Sequence, residues 1–248
     1  KSAKRLELID DIFDIDNLSG FDIILISVPV DISLKIVNKV LDHVTDKTLV
    51  LDVGSTKLPI CNEVHNHSKR KNFLAMHPIS GTENSGPDAS VKGLYTGITN
   101  IVCEKEKTGL KQYELASSIF QKLEMKIIYM DPKVHDQHIS YVSHLSHITS
   151  FILAKTVIEK EIDEKNIFDL AGSGFESTVR LAKSSPEMWS PIFLQNKNYI
   201  IEALSEYIDN LEVLKEMILK NENEVIINDL NNINRIKEIL SGINNKRK

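Results

Sequence analysis

The first half of the chain alternates short apolar runs with amphipathic stretches. Asp22-Ile23-Ile24-Leu25-Ile26-Ser27-Val28 is a continuous β-rich run, as expected of a strand buried on both faces of a parallel sheet. Pro29 ends it, and Asp31 or Ser33 is placed to cap a helix reaching about His43. Thr48 to Val53 is a second strand, followed by Gly54 and a helix from about Lys57. Phe73 to Met76, Ile98 to Val102 and Lys126 to Tyr129 supply three more strands, with a helix from Gly109 to Leu123 before the last. Strand and helix in this alternation predict a doubly wound α/β domain with right-handed crossovers.

From Pro132 onward the β pattern stops. Val134 to Glu161, Glu164 to Lys183, Pro186 to about Asn221 and Glu224 to Leu240 read as helices, with Ser184 or Ser185 capping the third and Pro186 in its first turn. The third carries an apolar stripe of Ile200, Ala203, Leu204, Tyr207, Leu211, Leu214 and Ile218. Such a stripe serves as ordinary core or buries a second copy, and helices this long favour a dimer. The boundary falls near residue 132, giving a nucleotide-binding domain at 1–132 and a helical substrate and dimerisation domain at 133–248.

A dinucleotide-binding domain of this class opens with a strand, a Gly-rich turn and a helix, then a strand ending in an acid for the ribose. Nothing before Asp22 reads GxGxxG, and Lys1 to Ile15 has the pattern of the helix and turn after the second strand. The expectation is an N-terminally truncated domain lacking one βα unit and the next strand. The choice between NAD and NADP ordinarily rests on that strand.

Composition narrows the function. A formal charge of −5 argues against a nucleic-acid or anionic-membrane binder, and Asn244 to Lys248 reads as a frayed, solvated end. No apolar run approaches the ~20 residues of a membrane span. Cys61 and Cys103 lack metal-like spacing and fit a reducing, cytoplasmic setting.

Candidate chemistry gathers at the strand ends, where ligands bind in an open α/β sheet. Ser27-Val28-Pro29-Val30 follows the first strand, and Asp52-Val53-Gly54-Ser55-Thr56-Lys57 the second. His77-Pro78-Ile79-Ser80-Gly81-Thr82-Glu83 follows the third, with the polar loop running on to Gly86. Ser55 reads as a helix cap or, beside His77, as a site residue. In the second half, His144 and His147 share a helix face, with no carboxylate or thiol at ligand spacing to make a metal site; His135 and His138 fall roughly opposite by the 3.6-residue period. Ala171-Gly172-Ser173-Gly174-Phe175 precedes Arg180 and Ser184-Ser185-Pro186-Glu187-Met188-Trp189, an arrangement suited to a carboxylate clamp with an aromatic wall.

In order and spacing these segments resemble the prephenate and arogenate dehydrogenases of tyrosine biosynthesis, from about Lys1 to beyond Trp189. The resemblance implies oxidative decarboxylation of prephenate to 4-hydroxyphenylpyruvate with NAD, NADP being the alternative, and equally admits an arogenate (cyclohexadienyl) dehydrogenase. It implies His77 as the base that takes the ring hydroxyl proton, with Ser55 between histidine, substrate and nicotinamide. It further implies Arg180 on a substrate carboxylate and Thr82, Glu83, His144, His147 and Trp189 in the pocket. Ser27, Val28, Pro29, Gly54, Ser55 and Lys57 are implied on the cofactor side. Asp136 is implied in a polar network closing the site, and residues around Gly174 in the partner's pocket of a homodimer. Ser146 and Ser173 depart from the family's usual proline and glycine, and Glu176 and Ser177 from its usual charged pair. A β-hydroxyacid dehydrogenase and a non-catalytic dimeric remnant are the competing readings.

Overall fold

The computed structural model describes residues 2–84, 86–164 and 166–247; Lys1, Ser85 of the polar loop, Lys165 and Lys248 of the tail lie outside it. Contacts divide the chain into two compact units, Lys1–Ile200 and Ile201–Lys248.

The first unit is built on a five-stranded sheet: β1 (Ile23–Ile26), β2 (Leu49–Asp52), β3 (Phe73–Pro78), β4 (Thr99–Cys103) and β5 (Lys126–Met130), ordered β1-β2-β3-β4-β5. A one-turn helix, α1 (Ser2–Arg5), precedes it. The other helices are α2 (Val30–His43), α3 (Leu58–Glu63), α4 (Leu110–Lys122), α5 (Pro132–Ile139), α6 (Leu145–Asp163), α7 (Ser173–Val179), α8 (Pro186–Gln195), α9 (Lys197–Leu219), α10 (Asn223–Ile233) and α11 (Ile236–Arg247). The second unit holds most of α9 with α10 and α11.

Helices cover both faces of the sheet. Val37, Val40 and Leu41 of α2, with Ile60, Cys61 and Val64 at α3, pack on Val50, Phe73, Ala75 and Ile101. Ala116 and Phe120 of α4 pack on Leu49, Leu51, Leu74, Met76 and Val102. Alternate residues of β2 and β3 thus enter opposite cores, which is why those strands read as unbroken apolar runs.

Two sheet expectations are corrected. The sheet is mixed, because β4 runs antiparallel to β3 while the other neighbours are parallel. A parallel return needs a crossover element, and among the described residues between β3 and β4 the one regular element is the short 3₁₀ turn Pro87–Ala89. Nor is β1 buried on both faces: by register Ile23 and Leu25 share the face of Leu49 and Leu51, beyond the cover of α4, and are 38% and 55% exposed.

The caps and helix limits also differ. Neither Asp31 nor Ser33 caps α2, which starts after Pro29; the Ser33 hydroxyl donates weakly back to the carbonyls of Val28 and Pro29. Ser185 does cap α8, accepting from the Met188 N–H. Past Met130 the described residues hold no strand, but the four expected helices are broken into shorter pieces. A π-helical turn, Ser140–His144, separates α5 from α6. The Ala171-Gly172 step interrupts Glu164–Lys183, leaving α7 flanked by 3₁₀ turns. Asn196 divides α8 from α9, and Asn234 ends α10 ahead of α11, which runs beyond the expected limit at Leu240 and through Arg247, into the segment expected to fray. Of the stripe on α9, Ile200 and Ala203 are buried while Leu211 and Ile218 are exposed.

Helix α8 is what brings the helical segment onto the strand ends. Its Trp189 and Ile192 pack against Val30 at the start of α2, with Phe151 and Phe193 beside them. The Gln195 amide oxygen accepts from the Thr56 hydroxyl at 2.8 Å.

Candidate active site

His77 is the penultimate residue of β3, paired with Ile101 of β4. Its side chain falls on the face of Phe73 and Ala75, toward α5. There His77 Nδ1 lies 2.9 Å from His135 Nε2, the rings meeting edge to face with centroids 5.1 Å apart. His135 Nδ1 lies 2.8 Å from Asp136 Oδ1.

Asp136 is itself a cap. Its Oδ1 accepts the Lys57 N–H at 2.8 Å and its Oδ2 the Leu58 N–H at 2.9 Å, satisfying the open amino end of α3 from an element 79 residues away. That removes the capping duty from Ser55, which faces open space between β2 and α3. The Asp136 carbonyl accepts from Asn196 Nδ2 at 2.7 Å, and the same amide meets His144 Nδ1 at 3.1 Å.

His135 and His144 therefore enter one buried network, although the 3.6-residue period sets them on opposite sides. The π turn between them is the reason: its wider spacing rotates the later residues relative to α5, a distortion frequent at functional sites. His138 stays outside this network. Among the described residues no three His, Cys, Asp or Glu side chains gather as a metal site.

A cleft of about 400 Å³ opens beside His77. It is lined by Ser55, His77, Thr82, Glu83, His147, Arg180 and Trp189, with Ile79, Ile139 and Met188 as apolar wall. His147 donates Nδ1–H to the Ser143 carbonyl at 3.0 Å and stacks on Trp189 at 3.5 Å between centroids. The buried Trp189 indole N–H has no acceptor among the described residues. Arg180 is half-exposed and bonds Glu83 at 2.8 Å, leaving other guanidinium donors free at the cleft mouth. A second cleft of about 430 Å³ adjoins through Ser55 and is lined by Ser27, Val28, Pro29, Val53 and Gly54 with Met188 and Ile192.

Several expected site residues lie elsewhere. The Lys57 side chain does not reach the second cleft: it is fully buried, bonding Asp52 and donating to the Met76 carbonyl at 2.8 Å. Asp52, at the buried end of β2, draws the ammonium inward. His144 sits behind the first cleft, edge-on to Trp189, rather than lining it. Gly174 is exposed on α7 and does not line the cleft of its own chain. Sequence reasoning passed over His135 and Asn196. The adjacent His135-Asp136 pair just inside a Pro-started helix was the available signal, and the period argument set it aside.

Electrostatics favour neutral imidazoles. Burial holds His77 well below its ordinary value, with His135, Lys57 and His144 adding to the effect. Burial likewise lowers His135 and His147, and brings His144 down to about 4. The unfolded chain regains an ordinary imidazole value of 6.5, so between about 6.5 and 4 it binds a proton that folded His144 refuses. This stability is whole above 6.5 and is lost as pH falls, amounting to roughly 3 kcal/mol from His144 across the window. The urea midpoint is expected to drop from neutral pH to about pH 5, and His144→Gln to shrink that drop; a midpoint independent of pH would contradict it.

The fold and clefts define a class: a Rossmann-like α/β domain followed by a helical domain, with a histidine-lined cleft at the strand ends. Residues 1–129 match the family model described as prephenate dehydrogenase, nucleotide-binding domain, and residues 131–232 the one described as prephenate dehydrogenase, dimerization domain. The chain belongs to the prephenate dehydrogenase family. It is 27% identical over 225 residues to the prephenate dehydrogenase of Bacillus subtilis, covering 88% of this chain and 60% of that protein. It is 24% identical to the cyclohexadienyl dehydrogenase of Zymomonas mobilis, covering 91% and 78%. The crystal structure of prephenate dehydrogenase from Aquifex aeolicus, in complex with hydroxyphenyl propionate and NAD⁺, superimposes with a TM-score of 0.85 at 32% identity, covering 96% of this chain and 84% of that one. The chain thus spans about three fifths of its Bacillus relative.

Proposed function

We propose that the protein oxidatively decarboxylates prephenate to 4-hydroxyphenylpyruvate, as a cytoplasmic homodimer using NAD. The observation that carries this reading is His77: a strand-end imidazole whose basicity burial depresses, on a cleft also lined by Arg180, His147 and Trp189. The A. aeolicus protein, solved with NAD⁺, supports that cofactor, and the matched dimerization model supports the homodimer. Ile152, Ile158 and Ile162, all exposed on α6, offer apolar surface for such an interface.

Ser27, Val28, Pro29, Gly54 and Ser55 fit the nicotinamide end of a dinucleotide, because small side chains and a glycine leave the second cleft open where it meets the first at Ser55. The cofactor, when bound, supplies the hydride acceptor. Ser55 belongs to both clefts and is placed to hydrogen-bond where substrate and nicotinamide meet. Arg180 offers its remaining donors to a substrate carboxylate at the cleft mouth, with Trp189 as an aromatic wall of the same cleft. His77 Nε2 accepts the proton of the ring hydroxyl as the hydride departs, and loss of CO₂ restores aromaticity. Gly174 serves the pocket of the partner subunit in this reading.

An arogenate dehydrogenase is the second reading, supported by the cyclohexadienyl dehydrogenase similarity. The two differ in one side-chain group, keto against amino. Turnover on each substrate with NAD and NADP separates them: prephenate with NAD should give the highest kcat/KM, and a preference for arogenate would install the alternative.

A further inference from the structure

We infer that His135 and Asp136 are positioning residues that fix the tautomer of His77, so that Nε2 faces the cleft as a bare acceptor. This deepens the reading of His77 as a base and rests on it for its catalytic meaning. The geometry itself stands on hydrogen-bond accounting.

Asp136 is 1% exposed. Both carboxylate oxygens already accept backbone N–H groups, from Lys57 and Leu58. The hydrogen shared with His135 at 2.8 Å therefore belongs to His135 Nδ1. A neutral imidazole has one N–H and one lone pair, so His135 Nε2 holds the lone pair. His77 Nδ1, 2.9 Å away, must then be the donor. With its one hydrogen spent there, neutral His77 leaves Nε2 unprotonated. No hydrogen bond within the described residues engages that atom, and His77 lines the cleft. The other tautomer would set two lone pairs against each other at a buried contact.

A purely structural role would need only the pair of Asp136 and the amino end of α3. The chain of contacts goes further, from α5 across to β3, and ends on the one strand-end histidine. The groups facing His77 pull in opposite senses. His135 from α5, Lys57 from the β2–α3 turn and His144 from the π turn disfavour a charged His77. Asp136, acting through the polarised His135 ring, favours it. When His77 Nε2 takes a proton, His77 keeps its Nδ1–H and goes on donating it to His135 Nε2, so the new charge is stabilised without any further proton movement. The arrangement keeps His77 neutral at rest and eases its charging during the reaction.

The direct test is ¹⁵N NMR of the imidazole rings in the intact protein at neutral pH, with His77 assigned by difference from His77→Asn. The expected result is a pyrrole-type Nδ1 and a pyridine-type Nε2 on His77. A protonated Nε2, or rapid exchange between tautomers, would overturn the inference. A kinetic arm uses His135→Phe, which keeps the ring volume and removes both nitrogens. It should lower kcat by about a hundredfold with KM nearly unchanged, and shift the acid limb of the kcat profile. Wild-type kcat and an unshifted profile would also overturn it. Should that variant fail to fold, the wild-type tautomer measurement still decides. The two readings fail separately: the predicted tautomer in a protein that turns over neither substrate rejects the function, and turnover from a protein with Nε2–H rejects the relay.

Discussion

His77→Asn is expected to lower kcat by about 10²- to 10⁴-fold while KM for prephenate stays close to the wild-type value. Asparagine retains a short polar side chain that can hydrogen-bond the substrate hydroxyl, but it has no lone pair basic enough to take its proton. The strand should survive the change. Position 77 pairs through its backbone with Ile101, and both cores of the sheet lie at other residues. In the proposed reading binding rests on Arg180, His147 and Trp189, which line the same cleft and which the substitution does not alter. Steady-state kinetics on the intact variant, with far-UV circular dichroism to establish folding, separate the two effects. A folded variant with wild-type kcat would remove His77 from the chemistry.

The second large effect is on stability. Lys57 is fully buried, and its ammonium holds the Asp52 carboxylate and the Met76 carbonyl. Asp52 is 1% exposed, and its Oδ1 already has no partner among the described residues. Lys57→Met would leave a buried carboxylate without its counter-charge, and removing one member of such a pair costs about 3–5 kcal/mol. That is a large share of the roughly 5–15 kcal/mol that stabilises a typical domain. Combining it with Asp52→Leu should recover most of the loss, since an apolar pair of similar volume often replaces a buried ion pair without penalty. Urea unfolding of the single and double variants checks this. A single variant within 1 kcal/mol of wild type would contradict the assignment.

These two residues illustrate what the sequence discloses and what it hides. The strands were legible because β2 and β3 are buried on both faces, and few other environments tolerate Leu49-Val50-Leu51 or Phe73-Leu74-Ala75-Met76. The convergence of Ser55, His77, Thr82, Glu83, His147, Arg180 and Trp189 on one cleft was legible through the order of motifs that resemble a family. The direction of β4 was not, because strand direction depends on the connection rather than the strand's own residues. Lys57 read as a cofactor contact because nothing local shows that Asp52, five residues earlier, turns it inward. The cap on α3 comes from Asp136, and no pattern within α3 points so far along the chain. His135 was set aside by a helical period that the π turn breaks.

The central claim is that this cleft removes a hydride and CO₂ from one substrate with His77 as the base. Its most direct measurement is the yield of reduced nicotinamide, CO₂ and 4-hydroxyphenylpyruvate when the intact protein is given prephenate and NAD, run beside His77→Asn. The account predicts the three products in equal amounts from the wild type and at least a hundredfold slower formation by the variant. No reduced nicotinamide from the wild type, with either prephenate or arogenate and either NAD or NADP, would contradict it.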